Sequence, residues 1–426
     1  MKGTALILVV MSCISQATLP ASEATNYTLG IFGNANMDGT IDEADIEYVR
    51  GIIDSRYKAT ELSDANYDGR IDENDISQIE LIIQGEEKEI TIIDSADRIV
   101  TVKKPIERVV IAYWIDAALT LQALKADEAV VGVTDVIKDE PILFPELSKL
   151  PSVGIQPSPD ALDYEKILEL GPDVVLTGGT SMDPDEEIIE RIQALDPNIR
   201  VLWFTFCVPS LYDDEVKKVG YIFNKRDEAG ELINWNEEHL NDILEKVRNL
   251  PDDERTKVYT EFFMDYYTGG EGTAYQDYIE MAGGKNVFSG IISDGVYKLV
   301  EVDPEEIIER NPQVILHHLG MAYAGGYKVD DVTVLREKRE EIMDRSGFSA
   351  IEAVQNERVY TLDSNIVLCA IYPVGVSYYA KWFYPELFKD LDPKAIHQEY
   401  LTKFLGIDYD LSKHGSFVYP PQENPL

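Results

Sequence analysis

The sequence predicts two α/β lobes joined by one long helix, with a small all-α domain built on calcium loops in front of them. Three observations lead there. Residues 34–45 and 64–75 are aligned copies of one acidic twelve-residue loop, each running into a helical pattern. From Glu89 onward, short apolar runs alternate with amphipathic stretches in two successive blocks, the pattern of parallel strands covered by helices. Between the blocks, residues 231–249 are polar, helix-favouring and free of Pro and Gly. Leu232, Trp235, Leu240, Ile243, Leu244 and Val247 form one apolar stripe on that helix. The predicted boundaries are a leader at 1–24, the loop domain at 30–86, a first lobe at 89–225, the joining helix at 226–250, and a second lobe with its tail at 251–426.

The leader begins with Lys2, continues through the apolar run 4–14, and offers a cleavage site at Ser22-Glu23-Ala24. The run is too short to span a bilayer, so it predicts an exported protein at the extracellular face of the cell. Cys13, after Val10-Met11-Ser12, is the alternative processing point, where a lipid would be attached. Only Cys207 and Cys369 follow it, which is no disulfide framework. Asn26-Tyr27-Thr28 is a glycosylation sequon. With 78 acidic and 38 basic residues the net charge is −40, leaving no Lys/Arg surface to neutralise phosphates and excluding nucleic acid as a partner.

Calcium takes six to eight oxygens, and loops of this length supply them from positions 1, 3, 5, 7, 9 and 12. In the first copy, NANMDGTIDEAD, these are Asn34, Asn36, Asp38, the Thr40 carbonyl, Asp42 and Asp45. In the second, DANYDGRIDEND, they are Asp64, Asn66, Asp68, the Arg70 carbonyl, Asp72 and Asp75. Gly39 and Gly69 fall at the sharp turn of position 6, and Ile41 and Ile71 at position 8 are placed to join the two loops. Ile46, Val49, Ile52 and Ile53 form the apolar face of the first exit helix; Ile76, Ile79, Ile82 and Ile83 repeat it. One such turn would be unremarkable, but two in register with matching helices predict two bound Ca²⁺ ions. Position 12 is Asp rather than the Glu of ordinary EF-hands, and only the exit helices are clear. Paired loops of that form resemble dockerin domains, which implies a cohesin-type protein as partner. By the same resemblance Glu43-Ala44 and Glu73-Asn74 stand where dockerins choose their cohesin, and Asn34 in place of Asp removes one charge from the first site.

In the first block, residues 89–93 and 98–102 read as a hairpin around the turn 94–97. Strands follow at 108–112, 130–133, 173–176 and 201–204, with helices at 116–125 and ending at 170 and 195. In the second block, strands at 256–263 and 313–316 alternate with helices at 275–282 and 304–310. Several stretches carry a resemblance: TIIDSADRIVTVKKPIERVVIAY (91–113), VVGVTD (130–135), LPSVGIQPSPDALDYEKILELGPDVVL (150–176), GTAYQDYIEMAGGKNVF (272–288), VDPEEIIERNPQVIL (302–316) and GFSAIEAVQNERVYTLD (347–363). In order and spacing they resemble the helix-linked substrate-binding proteins of ATP-driven importers for iron chelates, cobalamin and haem. That resemblance implies two Rossmann-like lobes, a metal-chelate ligand between them and an ABC importer permease as partner. The tail from His397 lies outside these motifs.

Ligands of such folds sit beyond the carboxyl ends of the parallel strands. One wall is then Tyr113, Trp114, Thr134, Asp135 and the loop Thr177-Gly178-Gly179-Thr180; the other is Tyr266, Tyr267, His317 and His318, with Tyr323 nearby. Aromatic faces suit a flat chelate, and a Gly-rich loop exposes main-chain donors to an anion. The two histidines are adjacent on a strand, so they point to opposite faces and at most one reaches a ligand. The resemblance further implies that Glu165 and Glu305 meet arginines of the permease. No GxSxG, HExxH or P-loop occurs, and no motif sets two carboxylates across a cleft, so the expected activity is capture and delivery, not catalysis. An iron-siderophore leads among ligands; cobalamin, haem or a molybdate-type oxyanion are alternatives, as is a dockerin-bearing enzyme or scaffold component.

Overall fold

A computed structural model describes residues 28–178, 186–206, 208–292, 295, 298–320, 325–367 and 370–420. The leader, Cys13, Asn26, Tyr27, Gly179, Thr180, Cys207, Tyr323, Cys369 and the last six residues lie outside them. Among the described residues, no helix is long and apolar enough to cross a membrane.

The front module contains α1 (Glu43–Ile53) and α2 (Glu73–Gln84). Each starts on an Asp N-cap, Asp42 or Asp72, within a reciprocal capping box closed by Asp45 or Asp75. Ile46, Val49, Ile76, Ile79 and Ile82 are buried, while Ile53 projects into solvent. The module is not a bead on a string. Ile31 bridges to Ile92, Phe32 N donates to the Thr91 carbonyl, and Ile93 N donates to that of Gly30. Leu29 and Ile31 join one continuous apolar core with Ile90, Ile92 and Val102 of the following hairpin, β1 (Glu89–Ile93) and β2 (Ile99–Lys103). Lys104 is buried below the hairpin in an ion pair with Glu87 and also donates to the Tyr221 carbonyl. The expected boundary between 86 and 89 therefore separates sequence patterns, and a shared core runs across it.

The first lobe is a four-stranded parallel sheet in the order β4-β3-β5-β6, from β3 (Val109–Ile111), β4 (Val130–Val133), β5 (Val174–Thr177) and β6 (Arg200–Trp203). Helices α3 (Ile115–Ala123), α4 (Asp135–Lys138), α5 (Tyr164–Leu170), α6 (Glu186–Leu195) and α7 (Pro209–Ile222) surround it. Every strand is apolar on both faces because both are covered. The joining helix, α8 (Arg226–Val247), buries Leu232, Trp235, Leu240, Ile243 and Val247, but leaves Leu244 at the edge of the stripe, 36% exposed.

The second lobe has the order β13-β12-β11-β7-β9. Its strands β7 (Lys257–Phe262), β9 (Lys285–Asn286), β11 (Val314–Leu319) and β12 (Val359–Asp363) run parallel. A small hairpin of β8 (Tyr267–Thr268) and β10 (Val300–Glu301) stands beside them. Helices α9 (Ala274–Met281), α10 (Pro304–Arg310), α11 (Thr333–Met343), α12 (Glu352–Gln355) and α13 (Tyr372–Phe383) complete the lobe. The tail adds α14 (Pro393–Lys403), which packs Tyr400 and Phe404 on Trp235 of α8, and β13 (Val418–Tyr419), which pairs antiparallel with β12.

Candidate functional site

The loops beyond the carboxyl ends of the two sheets approach each other, and the cleft expected from the sequence lies at that junction. Lys328, beyond β11, forms an ion pair at 2.6 Å with Glu140, beyond β4. Tyr212 of α7 meets Tyr372 of α13 edge-on at 5.7 Å. On the first wall Trp114 and Asp135 are half-buried, with side chains still reaching solvent. Tyr113, Thr134 and Thr177 lie beneath them as ties: their hydroxyls donate to the carbonyls of Thr205, Tyr113 and Ala112. Gly178 has no room for a Cβ, which would fall 2.0 Å from the Phe204 carbonyl oxygen and against the Tyr113 ring.

On the second wall Tyr266 and Tyr267 are half-buried. Neither histidine reaches the surface. His317 Nδ1 donates to Glu261 at 2.8 Å, and His318 Nε2 shares a hydrogen bond with the Tyr379 hydroxyl. Burial holds the His318 pKa well below its ordinary value, so the ring is neutral. Neighbours on a strand do point to opposite faces, but here both faces are roofed by other elements, so parity selects no ligand contact.

What the wall does present is a pair absent from the sequence expectation, Phe263 and Met264, 44% and 51% exposed just beyond β7. Phe263 and Tyr266 both sit in the left-handed region, φ 61° and 67°, an arrangement bulky residues adopt only when surroundings impose it. Phe263 N donates to the His318 carbonyl at 3.0 Å, and Tyr266 is held by Glu261. Its fully buried carboxylate accepts from Tyr266 N at 2.6 Å, Arg345 at 2.8 Å, His317 and the Tyr259 hydroxyl. Arg345 also stacks over the Tyr266 ring at 4.6 Å. Burial alone would raise the Glu261 pKa, but hydrogen bonds from His317 and Arg345 prevail and hold it at about 2. The first lobe repeats the device. Glu215, fully buried on α7, accepts from Thr205 N, Thr205 Oγ1 and Phe206 N, fixing Phe206 at φ 52° beyond β6. A lone Glu inside the apolar run VYTEFF was the signal available for Glu261; Glu215, among the charges of α7, offered none.

A sequence profile of the periplasmic binding protein family matches residues 110–366, more than half of the chain and both walls of this cleft. The chain belongs to that family. Its similar relatives include the ABC transporter substrate-binding lipoprotein YvrC of Bacillus subtilis, 27% identical over 71% of this chain and 87% of that protein. The molybdate-binding protein MolA of Haemophilus influenzae is 25% identical over 75% and 91%. Among solved structures, the TroA-like periplasmic binding protein FepB of Veillonella parvula superposes with a TM-score of 0.64 at 24% identity, covering 77% of this chain and 98% of that one. The fold is thus the two-lobe TroA-like one, and the relatives are substrate-binding proteins of ABC importers.

The binding protein's two lobes each carry the same short unit. Asp163 caps α5 and Asp303 caps α10, both helices have seven residues, and each ends on a left-handed residue, Gly171 or Asn311, before β5 or β11. Glu165 and Glu305 are the second residues of these helices and are exposed.

In the front loops of the binding protein, Asp45 and Asp75 are fully buried and accept only main-chain N–H groups, from Asn36 and Asp42 and from Asn66 and Asp72. Burial, with the like charges of Asp38 and Asp42, pushes the Asp45 carboxyl up to about 6 against the pull of those N–H groups; Asp75 is also raised. Asp64 accepts from Asp68 N and Gly69 N. Asn34 accepts from Asp38 N in the same way, while its amide donates to the Leu29 carbonyl at 2.8 Å, a bond Asp could not make. Among the described residues no three His, Cys, Asp or Glu side chains converge as a ready-made metal centre; these loops draw also on Asn and main-chain oxygens. One buried carboxylate per loop, with half-buried and exposed ones around it and no cationic partner among the described residues, is an oxygen set that fits a hard dication.

Proposed function

We propose that the protein captures a bulky metal chelate, an iron-siderophore first, and delivers it to an ABC importer permease. The observation that carries the reading is the exposed and half-buried aromatic and apolar set just past the strands, Phe263, Met264, Tyr266 and Tyr267 on the second lobe and Trp114 on the first. The name of the relative MolA favours a second reading, an oxyanion. Adding ferric siderophores, cobalamin, haemin and molybdate separately, at fixed calcium, separates them by melting temperature. A ligand at a hundred times its Kd stabilises by about 2.7 kcal/mol. A shift with molybdate alone replaces the chelate reading, and no shift with any of them removes both.

Delivery would use Glu165 and Glu305 against permease arginines, supported by their equivalent exposed places on the two lobes. Reversing both to Lys is expected to lower uptake about tenfold or more while leaving the ligand-induced melting shift unchanged. Uptake at the wild-type rate would reject this docking.

The two front loops would hold calcium through Asn34, Asn36, Asp38, Thr40, Asp42 and Asp45, and through Asp64, Asn66, Asp68, Arg70, Asp72 and Asp75. Calcium would supply the positive charge that lets these carboxylates converge. The exit helices would then present a dockerin-like surface to a cohesin-type partner at the cell exterior.

A further inference from the structure

The module's attachment to α7 gives the calcium loops a second task. Two α7 residues one turn apart hold the first loop by its main chain. Lys217 Nζ donates to the Gly39 carbonyl at 3.2 Å, and the Tyr221 hydroxyl accepts from Ile41 N at 3.1 Å. These positions flank Thr40, whose carbonyl is the expected ligand at position 7. Beyond the second loop, Arg226, the first residue of α8, donates to the Ile82 and Ile83 carbonyls at the end of α2. Asn224, in the corner between α7 and α8, donates to the Gly85 carbonyl.

The same α7 reaches the cleft on its other side. Glu215 fixes the Thr205–Phe206 turn, and Tyr212 contacts Tyr372 of the second lobe. One rigid helix thus touches the first loop, the buried turn that supports the first wall through Tyr113, and the opposite lobe. The α7–α8 corner in turn sets where the joining helix begins.

We infer that cation binding in the front loops is transmitted through α7 to the cleft, so that the module is a calcium-set brace of the receptor. This rests on the calcium reading above. An empty first loop relaxes its 39–41 backbone to spread the carboxylates, and Lys217 and Tyr221 carry that displacement into α7. The coupling is reciprocal by thermodynamic necessity, so closing the cleft also tightens calcium.

The test uses the purified full chain, calcium alone as the probe, and hydrogen exchange of main-chain amides, with calcium binding measured separately by titration calorimetry. Calcium is expected to slow exchange about fivefold or more at residues 205–206 and 217–226 as well as within 34–84. Tyr221→Phe, which removes one hydroxyl and none of the loop oxygens, is expected to keep the protection within 34–84 and lose it at 205–206; Lys217→Met should do the same. Calcium that binds but protects only 34–84 overturns the brace and spares the calcium reading. No heat of calcium binding overturns both.

Discussion

Replacing Glu261 by Ala is expected to destabilise the second lobe by about 3–5 kcal/mol, the usual cost of breaking a buried charge pair by removing one partner. The expected value lies toward the lower end, because Arg345 keeps Asp265 at 2.8 Å and Glu341 at 3.4 Å on its outer side. His317 and Tyr266 N show no such reserve among the described residues and lose a buried acceptor. Guanidinium unfolding followed by tyrosine and tryptophan fluorescence measures the loss. The pH dependence gives the same test a sign. The folded pKa of Glu261, about 2, lies below its ordinary 4.5, so the carboxylate's contribution is complete above about pH 4.5 and is lost as pH falls from there toward 2. Glu261→Gln removes that part of the acid transition, and an unchanged acid limb in this variant would contradict the account. Tyr266 also loses the N–H bond that keeps it in the left-handed region, so ligand-induced stabilisation is expected to fall along with stability.

The elements that position the cleft were legible because their causes are local. The hairpin at 89–103 follows from alternating β-branched residues around a turn where Asp94 accepts from Ala96 N and Arg98 N. The joining helix begins at Arg226, five residues before the Pro- and Gly-free stretch, because an isolated Gly230 costs a helix only about 1 kcal/mol. The strand expected at 256–263 ends one residue short, at Phe262, where Phe263 turns left-handed.

The cleft surface was harder to read for a physical reason. Alternation along a strand identifies a face only when one face is open, and here both sides of each sheet are covered. Tyr113, Thr134, Thr177, His317 and His318 are therefore partners of carbonyls, carboxylates and hydroxyls beneath the wall. The surface itself is made by the residues just past the strands, where left-handed backbone turned by a distant glutamate decides which side chain faces out. That dependence joins residues 261 and 266 through tertiary geometry that no local pattern encodes, and Glu215 holds the buried Phe206 beneath the first wall in the same way. The attachment of the front module was hidden likewise, since Tyr221 lies 180 residues from Ile41.

Trp235→Ala is expected to cost about 3–5 kcal/mol, the range for truncating a buried large aromatic, and its meaning lies in which segments it uncouples. Trp235 is 2% exposed on α8, and it packs against Tyr400 at 5.4 Å and Phe404 at 5.5 Å, both from the tail that fell outside every sequence motif. The tail also ties elsewhere. Lys403 pairs with Glu231, His239 lies 3.3 Å from Glu399, and Gln122 of the first lobe donates to the Leu405 carbonyl at 3.0 Å. These rim contacts contribute little individually, so the aromatic contact is expected to dominate the docking of α14. Leu244→Ala on the same helix serves as the control; at 36% exposed it should cost well under half as much. Removing residues 393–420 would strip both the α14 cover of α8 and the β13 edge of the sheet, leaving the outer edge of β12 unpaired and the chain prone to aggregate. If Trp235→Ala instead unfolds at the wild-type denaturant concentration, the tail is a passenger on α8. If it unfolds early, the joining helix keeps its place because helix α14 is packed against it, and the movement available to the two lobes is set by the tail as much as by the linker.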